Sequence, residues 1–299
     1  MNNQLSDTEL LAELKQRFEQ NKKALEELKN LNDELIQVNK KLEDSESLKS
    51  HFVSNITNEI INPFTSILGL SKAILSVDKE NWKRVISMIA LIHAETFSLD
   101  FQFRNIFVAA KIEAGDISPE IFTVDIHNLV ESVLDAFKYD AKKKRLTFNV
   151  QHADKSENKK SFVFKTDPDK LKLILSNLIR NAINFSFEEG HIDIRIWESE
   201  NNLNINVKDN GIGISKENHA IIFDRFNRLD SGINSVNRGH GLGLSVSKAL
   251  IDLLKGRIEI ESEIGKGASF TLIIPESDAP SEGFATDANE TFFKDYDEF

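Results

Sequence analysis

Leucines recur at heptad spacing along a polar stretch from about residue 8 to 50. With Leu11 at position a, the a series reads Leu11, Phe18, Leu25, Asn32, Asn39, and the d series Leu14, Asn21, Leu28, Leu35, Leu42. Leucine at d with asparagine at two a positions predicts a parallel two-stranded coiled coil of fixed register; a lone amphipathic helix packed on its own domain is the alternative. The helix is expected to continue into NEIINPF and to kink at Pro63, which lacks a backbone N–H. A second helix is expected over about Trp82–Ala114, with Val85, Met88, Ile89, Ile92, Thr96, Leu99, Phe103 and Ile106 on one face. Two helices with wide apolar faces can pair with a second copy as a four-helix bundle. From about Phe122 short alternating strands interleave with helices, which predicts an α+β domain with a mixed sheet and helices on one face. After about Ser277 the chain is acidic with scattered aromatics and is expected to be disordered or conditionally ordered.

Composition narrows the function. The 299 residues suffice for about two domains and a helical extension. A net charge of −11 argues against broad binding of nucleic acid or anionic membranes. There is no cysteine, so disulfides, thiolate metal sites and cysteine catalysis are excluded. No apolar run approaches a bilayer span, and the N-terminus does not read as a signal peptide, so a cytoplasmic location without membrane insertion is expected.

Four segments of the second half carry candidate chemistry. In NLIRNAINFS, Asn177 and Asn181 are four apart and share a helical face. VKDNGIGIS ends a strand at Asp209 and places Gly211 and Gly213 where backbone can approach a ligand without a Cβ. IIFDRFNRLD supplies Arg225 and Arg228, candidate phosphate contacts or plain solvated charge. RGHGLGLSVSKAL places Gly239, Gly241 and Gly243 before a helix, whose first N–H groups can hold phosphate. In this order and spacing the four segments resemble the ATP-binding domain of the histidine-kinase (GHKL, or Bergerat-fold) ATPases. The resemblance implies ATP and Mg²⁺ as cofactors, with the carbonyl oxygen of Asn181 on the metal and Asp209 accepting from the adenine amino group. It adds Asn177, Phe185, Leu242 and the other residues just named to the nucleotide site. Hydrolytic relatives carry a glutamate base where this chain has Asn177, so hydrolysis to water is disfavoured. Asn184 stands where many of these kinases have a phosphate-binding lysine.

The segment FVSNITNEIINPFTSILGL (52–70) resembles the acceptor helix of two-component sensor histidine kinases through Phe52, Glu59, Ile60, Pro63, Ile67 and Gly69. The acceptor position holds Asn58. An imidazole has a lone pair that can attack phosphorus, whereas a carboxamide nitrogen delocalises its own into the C=O. The resemblance implies that Glu59 assists phosphoryl transfer and that Asn62 orients water for dephosphorylation of a response regulator receiver domain; Asn62 satisfying the backbone before Pro63 is the alternative. Ile61 replaces a usual basic residue.

The expected architecture is therefore multidomain α and α+β. A coiled-coil signalling helix occupies 1–50 and a dimerisation and degenerate phosphoacceptor hairpin 51–118. An α/β sandwich of the GHKL type covers 119–276, followed by an acidic aromatic tail at 277–299. The expected function is that of a homodimeric pseudokinase which binds Mg-ATP and regulates a response regulator by binding or dephosphorylation. A nucleotide-sensing adaptor paired with an intact kinase or separate sensor, and an active kinase with a substituted histidine, are the alternatives.

Overall fold

The computed structural model describes the backbone of residues 7–77, 81–152, 162–225, 241–281 and 283–285; the side chains of 7–10, 12–14 and 41–59 lie outside that description. Asn58, Glu59, Arg228 and Gly239 are consequently outside it, the first two by their side chains. The chain divides into two compact units, Met1–Ser54 and Asn55–Phe299.

The first unit is helical, formed by the N-terminal part of α1 (Asp7–Leu75), which stays helical through Pro63. The described residues of its heptad series are uncovered in the single chain: Phe18 is 69% and Leu25 71% exposed.

The second unit holds the end of α1, α2 (Trp82–Ala114) and the α+β portion. Gly115 closes α2 in the left-handed conformation, its N–H returning to carbonyls of the last turn. The chain continues through β1 (Phe122–Asp125), α3 (Ile126–Ala136), α4 (Lys138–Lys143), β2 (Thr147–His152), β3 (Val163–Thr166) and α5 (Pro168–Phe185). It then forms β4 (His191–Ser199), β5 (Asn202–Asp209), α6 (Gly243–Leu253), β6 (Arg257–Ser262) and β7 (Ala268–Pro275).

Five strands form one mixed sheet in the order β2-β4-β5-β7-β6, with β2 and β4 parallel and the other pairs antiparallel. Alternation sends Ile192, Ile194, Ile196, Leu203, Ile205, Val207, Phe270 and Leu272 into a core shared with α3, α5 and α6. The opposite face is polar, with Asn149 bonded to Asp193 and Asn206 to Thr271. Helix α5 starts where Asp167 accepts from the Lys170 amide (3.0 Å) with Pro168 in the first turn.

One expectation is corrected. The C-terminal half of α2 buries Leu99, Phe101, Gln102 and Asn105, while Phe103 of the predicted stripe stays exposed. Phe101 and Phe97 pack edge-on against Phe137, which explains the choice of face. Part of the tail, expected to be disordered or conditionally ordered, meets β1 in the structure. Thr123 of β1 donates to Gly283 O (2.9 Å) and accepts from Ala285 N (3.1 Å), so this stretch adds to the free edge of the β1–β3 pair. Residues 286–299 lie outside the described residues.

Candidate functional site: a glycine-lined cleft between α5, β5 and α6

Three glycines are dictated by contact rather than by flexibility alone. A Cβ on Gly211 would lie 2.1 Å from Phe185 O, one on Gly213 2.0 Å from Glu263 O, and one on Gly267 2.1 Å from Asp209 O. Gly213 and Gly267 also have positive φ, +67° and +81°. These close approaches are locked by hydrogen bonds. Ile212 N donates to Phe185 O (3.2 Å), and Gly265 N donates to Ile212 O (2.7 Å). Ser262 Oγ accepts from Ile214 N and donates to Gly267 O. The end of α5, the turn after β5 and the β6–β7 hairpin thus form one wall.

Asp209 sits within that wall, 6% exposed. Its Oδ1 accepts from Ala268 N at 3.1 Å. Burial pushes its pKa up to about 6, against the lowering effect of the backbone amides of Ala268 and Gly211. A buried carboxylate of this kind recognises a ligand that brings its own N–H donor.

The asparagines of α5 separate by environment. Asn181, Asn184 and Phe185 are half-exposed, whereas Asn177 is buried. Asn177 Nδ2 donates to Asn105 Oδ1 of α2 at 2.8 Å. Gly243 opens α6 directly beside it, where a Cβ would meet Asn177 Oδ1 at 3.0 Å. Gly241 has φ +70° and Leu242, at the helix cap, is buried. Arg225 is exposed and paired with Glu113 of α2 at 2.7 Å. Asn62 is exposed on α1 beside buried Pro63.

Sequence reasoning did not single out Asn105, Lys144, Ser262 or Gly267. Only Gly267 left a readable signal, the GKG preceding the last strand. Among the described residues there is no cluster of three or more histidine, cysteine or acidic groups able to hold a metal ion. Likewise no described helix is long and apolar enough to cross a membrane.

Residues 166–278 match the family of histidine kinase-, DNA gyrase B- and HSP90-like ATPases. This part of the chain is a histidine kinase-like ATPase domain, and curated proteins similar to the chain include histidine kinases and sensor proteins. The circadian input-output histidine kinase CikA of Synechococcus elongatus is 30% identical over 234 residues, covering 76% of this chain and 30% of that protein. The phosphate regulon sensor protein PhoR of Pseudomonas aeruginosa is 28% identical over 226 residues, covering 76% of this chain and 50% of that one. The chain spans half or less of the length of each of these relatives. Among solved structures, full-length ShkA in complex with AMPPNP aligns with a TM-score of 0.53 at 22% identity, over 79% of this chain and 47% of that one, a likeness of fold.

Proposed function

We propose that this chain is a histidine kinase-like signalling protein that binds Mg-ATP, does not phosphorylate itself at the usual position, and acts on a response regulator receiver domain by binding or dephosphorylating it. The observation that carries this reading is the ordered set of four ATPase-like segments in a chain whose acceptor position, residue 58, holds asparagine.

The residues of the cleft fit the cofactor. Asp209 is an acceptor for an exocyclic adenine amine, and Gly211, Gly213 and Gly267 let the backbone segments around it close up against one another and hold it in place. Asn181, half-exposed, offers a hard oxygen suited to Mg²⁺. The N-terminus of α6 with Gly239, Gly241, Leu242 and Gly243 offers N–H groups to phosphate, and Arg225 and Arg228 supply positive charge. Asn184 and Phe185 line the end of α5, Asn184 without the lysine charge. Bound Mg-ATP supplies an electrophilic γ-phosphoryl group. Asn58 cannot take it, because its nitrogen lone pair is committed to the amide.

Asn62 remains able to hydrogen-bond a water with its exposed amide, while Glu59 accepts a proton or hydrogen bond; neither role requires a nucleophile at 58. The uncovered heptad stripe of α1 and the exposed Ile89 and Phe103 of α2 support a homodimer through coiled coil and bundle, in the cytoplasm. The same stripe, with Ile61 in place of a basic residue, favours a second reading: an adaptor paired with an intact kinase or sensor.

Incubation with γ-labelled Mg-ATP, with Asn58→His alongside, tests the main reading. The natural chain stays unlabelled and the histidine variant labels; stable labelling of the natural chain overturns it. A phosphorylated receiver domain then separates the two readings, since loss of dephosphorylation in Asn62→Ala supports catalysis and inactivity toward every bound receiver supports the adaptor.

A further inference from the structure

Residues 15–40 of α1 are all exposed in the single chain, the apolar row with the rest. What selects a partner helix is then the pair of positions that flank the row. With Leu11, Phe18 and Leu25 at a and Leu14, Asn21 and Leu28 at d, the e positions hold Lys15, Lys22 and Lys29, and the g positions Leu10, Arg17 and Ala24. Four cations thus border the seam between residues 15 and 29, and no acid does. The acids of this stretch lie further round the helix, Glu19, Glu26 and Asp33 at b and Glu13, Glu27 and Glu34 at c. Those at b follow each lysine by four residues, the weaker order for pairing along a helix, and they lie behind the edge that a partner meets.

A second copy matches these flanks poorly. In a parallel pair each g residue faces the e residue of the next heptad, which sets Arg17 opposite Lys22 on both sides of the seam. Ala24 would face Lys29 and Leu10 would face Lys15, so no flanking pair is attractive. An antiparallel pair sets e against e, lysine against lysine. Self-pairing through this stretch is tolerated by the apolar row but is not selected by its borders. Beyond Lys29 the borders lose their charge: Leu31 and Val38 at g and Ile36 at e are exposed and apolar. That part adds adhesion for any apolar helix, and residues 15–29 do the discriminating. The net charge of −11 and the acids at b and c make an anionic membrane the poorer match.

We propose that residues 11–42 of α1 dock one helix of a different protein, parallel to α1, apolar at its own a and d positions and acidic at its e and g positions. Its g acids meet Lys15, Lys22 and Lys29, and its e acid meets Arg17. A single exposed pair of this kind contributes little. Four in a row, replacing the like-charge contacts of a self-pair, set the choice of partner. The inference rests on the adaptor reading above and deepens it by giving the partner's chemistry.

Fluorescence anisotropy of three labelled peptides titrated with the full chain tests this. One peptide copies residues 8–43. The second carries Lys15→Glu, Arg17→Glu, Lys22→Glu and Lys29→Glu at the borders, and the third carries Gln16→Glu, Lys23→Glu, Asn30→Glu and Gln37→Glu at the outward f positions. At about 50 mM salt the border peptide is expected to bind at least tenfold tighter than either of the others, and at about 1 M salt the gap is expected to fall below threefold. The acidic chain repels an acidic peptide overall, so only the position of the charges can produce that preference. A full chain carrying the same four border substitutions is expected to invert it and favour the natural-sequence peptide. Equal binding of the three peptides, or a preference that survives 1 M salt, overturns the acidic partner while leaving helix pairing and the adaptor reading intact. Tightest binding by the natural-sequence peptide makes a second copy the occupant and overturns the proposal. Binding of none overturns pairing through α1 altogether, and pelleting of the chain with phosphatidylserine vesicles would overturn it in favour of a membrane.

Discussion

The Lys144 ammonium donates to the carbonyl oxygen of Asn184 at 2.6 Å, and to those of Ile183 and Ser186 at 2.9 and 3.3 Å. All three of its protons thus cap the C-terminus of α5, where carbonyls have no helical partner and the macrodipole favours a cation. Burial holds its pKa below the usual lysine value, with Glu188 opposing. The capped residues flank Phe185, whose carbonyl lies against Gly211, so Lys144 braces that wall at the end of α5.

Replacing it tests that brace. Lys144→Met keeps the alkyl stem and removes three donors, one bond of which is short and charge-assisted. A loss of about 2 kcal/mol is expected, read as a lowered melting temperature, with nucleotide affinity falling in the same variant. An unchanged melt would mean that water caps the helix equally well.

Asp209 links recognition to pH. Its carboxyl is raised to about 6 in the fold, above the ordinary aspartate value of 3.8. Between those values the folded state binds more protons than the unfolded state, so stability falls as pH rises from about 4 to 6, and at pH 7 the ionised group costs stability. A shift of roughly two units corresponds to about 3 kcal/mol at most. Asp209→Asn keeps an acceptor for Ala268 N without the charge. Its melting temperature at pH 7.5 is expected to equal or exceed that of wild type, and its stability profile between pH 4 and 6 to flatten. Adenine binding moves the other way: it is lost by tenfold or more in the variant, and in wild type weakens as pH drops through about 6. Pulse-free calorimetry across pH 5–8 reads both effects; wild-type affinity that is level across that range would contradict the carboxylate's role.

Gly211→Ala is expected to fail for steric reasons. The new methyl would sit 2.1 Å from Phe185 O, and backbone, not a flexible side chain, would have to move. Overpacking of this kind costs about 1–3 kcal/mol, and the shift reopens the α5–β5 wall. Chemical denaturation and nucleotide titration should therefore both respond. Gly69→Ala is the control, since nothing lies within 4 Å of its added Cβ.

These residues also mark how far the sequence could be read. Gly211 and Gly213 are legible because a backbone-to-backbone approach tolerates one residue type only. The strands are legible because Ile192, Ile194 and Ile196 alternate with polar neighbours against a one-sided core. Lys144 was invisible because it lies in KKKR, which reads as solvated charge until the end of α5 is placed over it. Asn105 and Gln102 were invisible for the complementary reason. Amides on a helix read as its wet face, and the apolar period of α2 selected Val85–Ile106 instead. That period includes Ile89 and Phe103, which stay exposed in one chain, while Gln102 and Asn105 are covered together with Leu99 and Phe101. Hydrophobic patterning finds the apolar period and has no means of finding the covered amides.

The open stripe of α1 leads to the last prediction. In the single chain Leu25, Leu28 and Leu35 are 71%, 67% and 55% exposed. Full burial of such a leucine contributes about 1.5–3 kcal/mol, so a row of them at heptad spacing is a strong drive to pair. An isolated helix of this composition would gain nothing from the row and would gain solubility from losing it. Leu28→Asp with Leu35→Asp places a carboxylate at successive d positions, where a partner helix would have to desolvate it. Sedimentation velocity is expected to give a dimer for the natural chain. The double variant should shift toward monomer by at least tenfold in dissociation constant, or retain only the weaker pairing of the bundle. A natural chain that sediments as a monomer at tens of micromolar would show that the leucines are met by another protein instead, which is the outcome the adaptor reading requires.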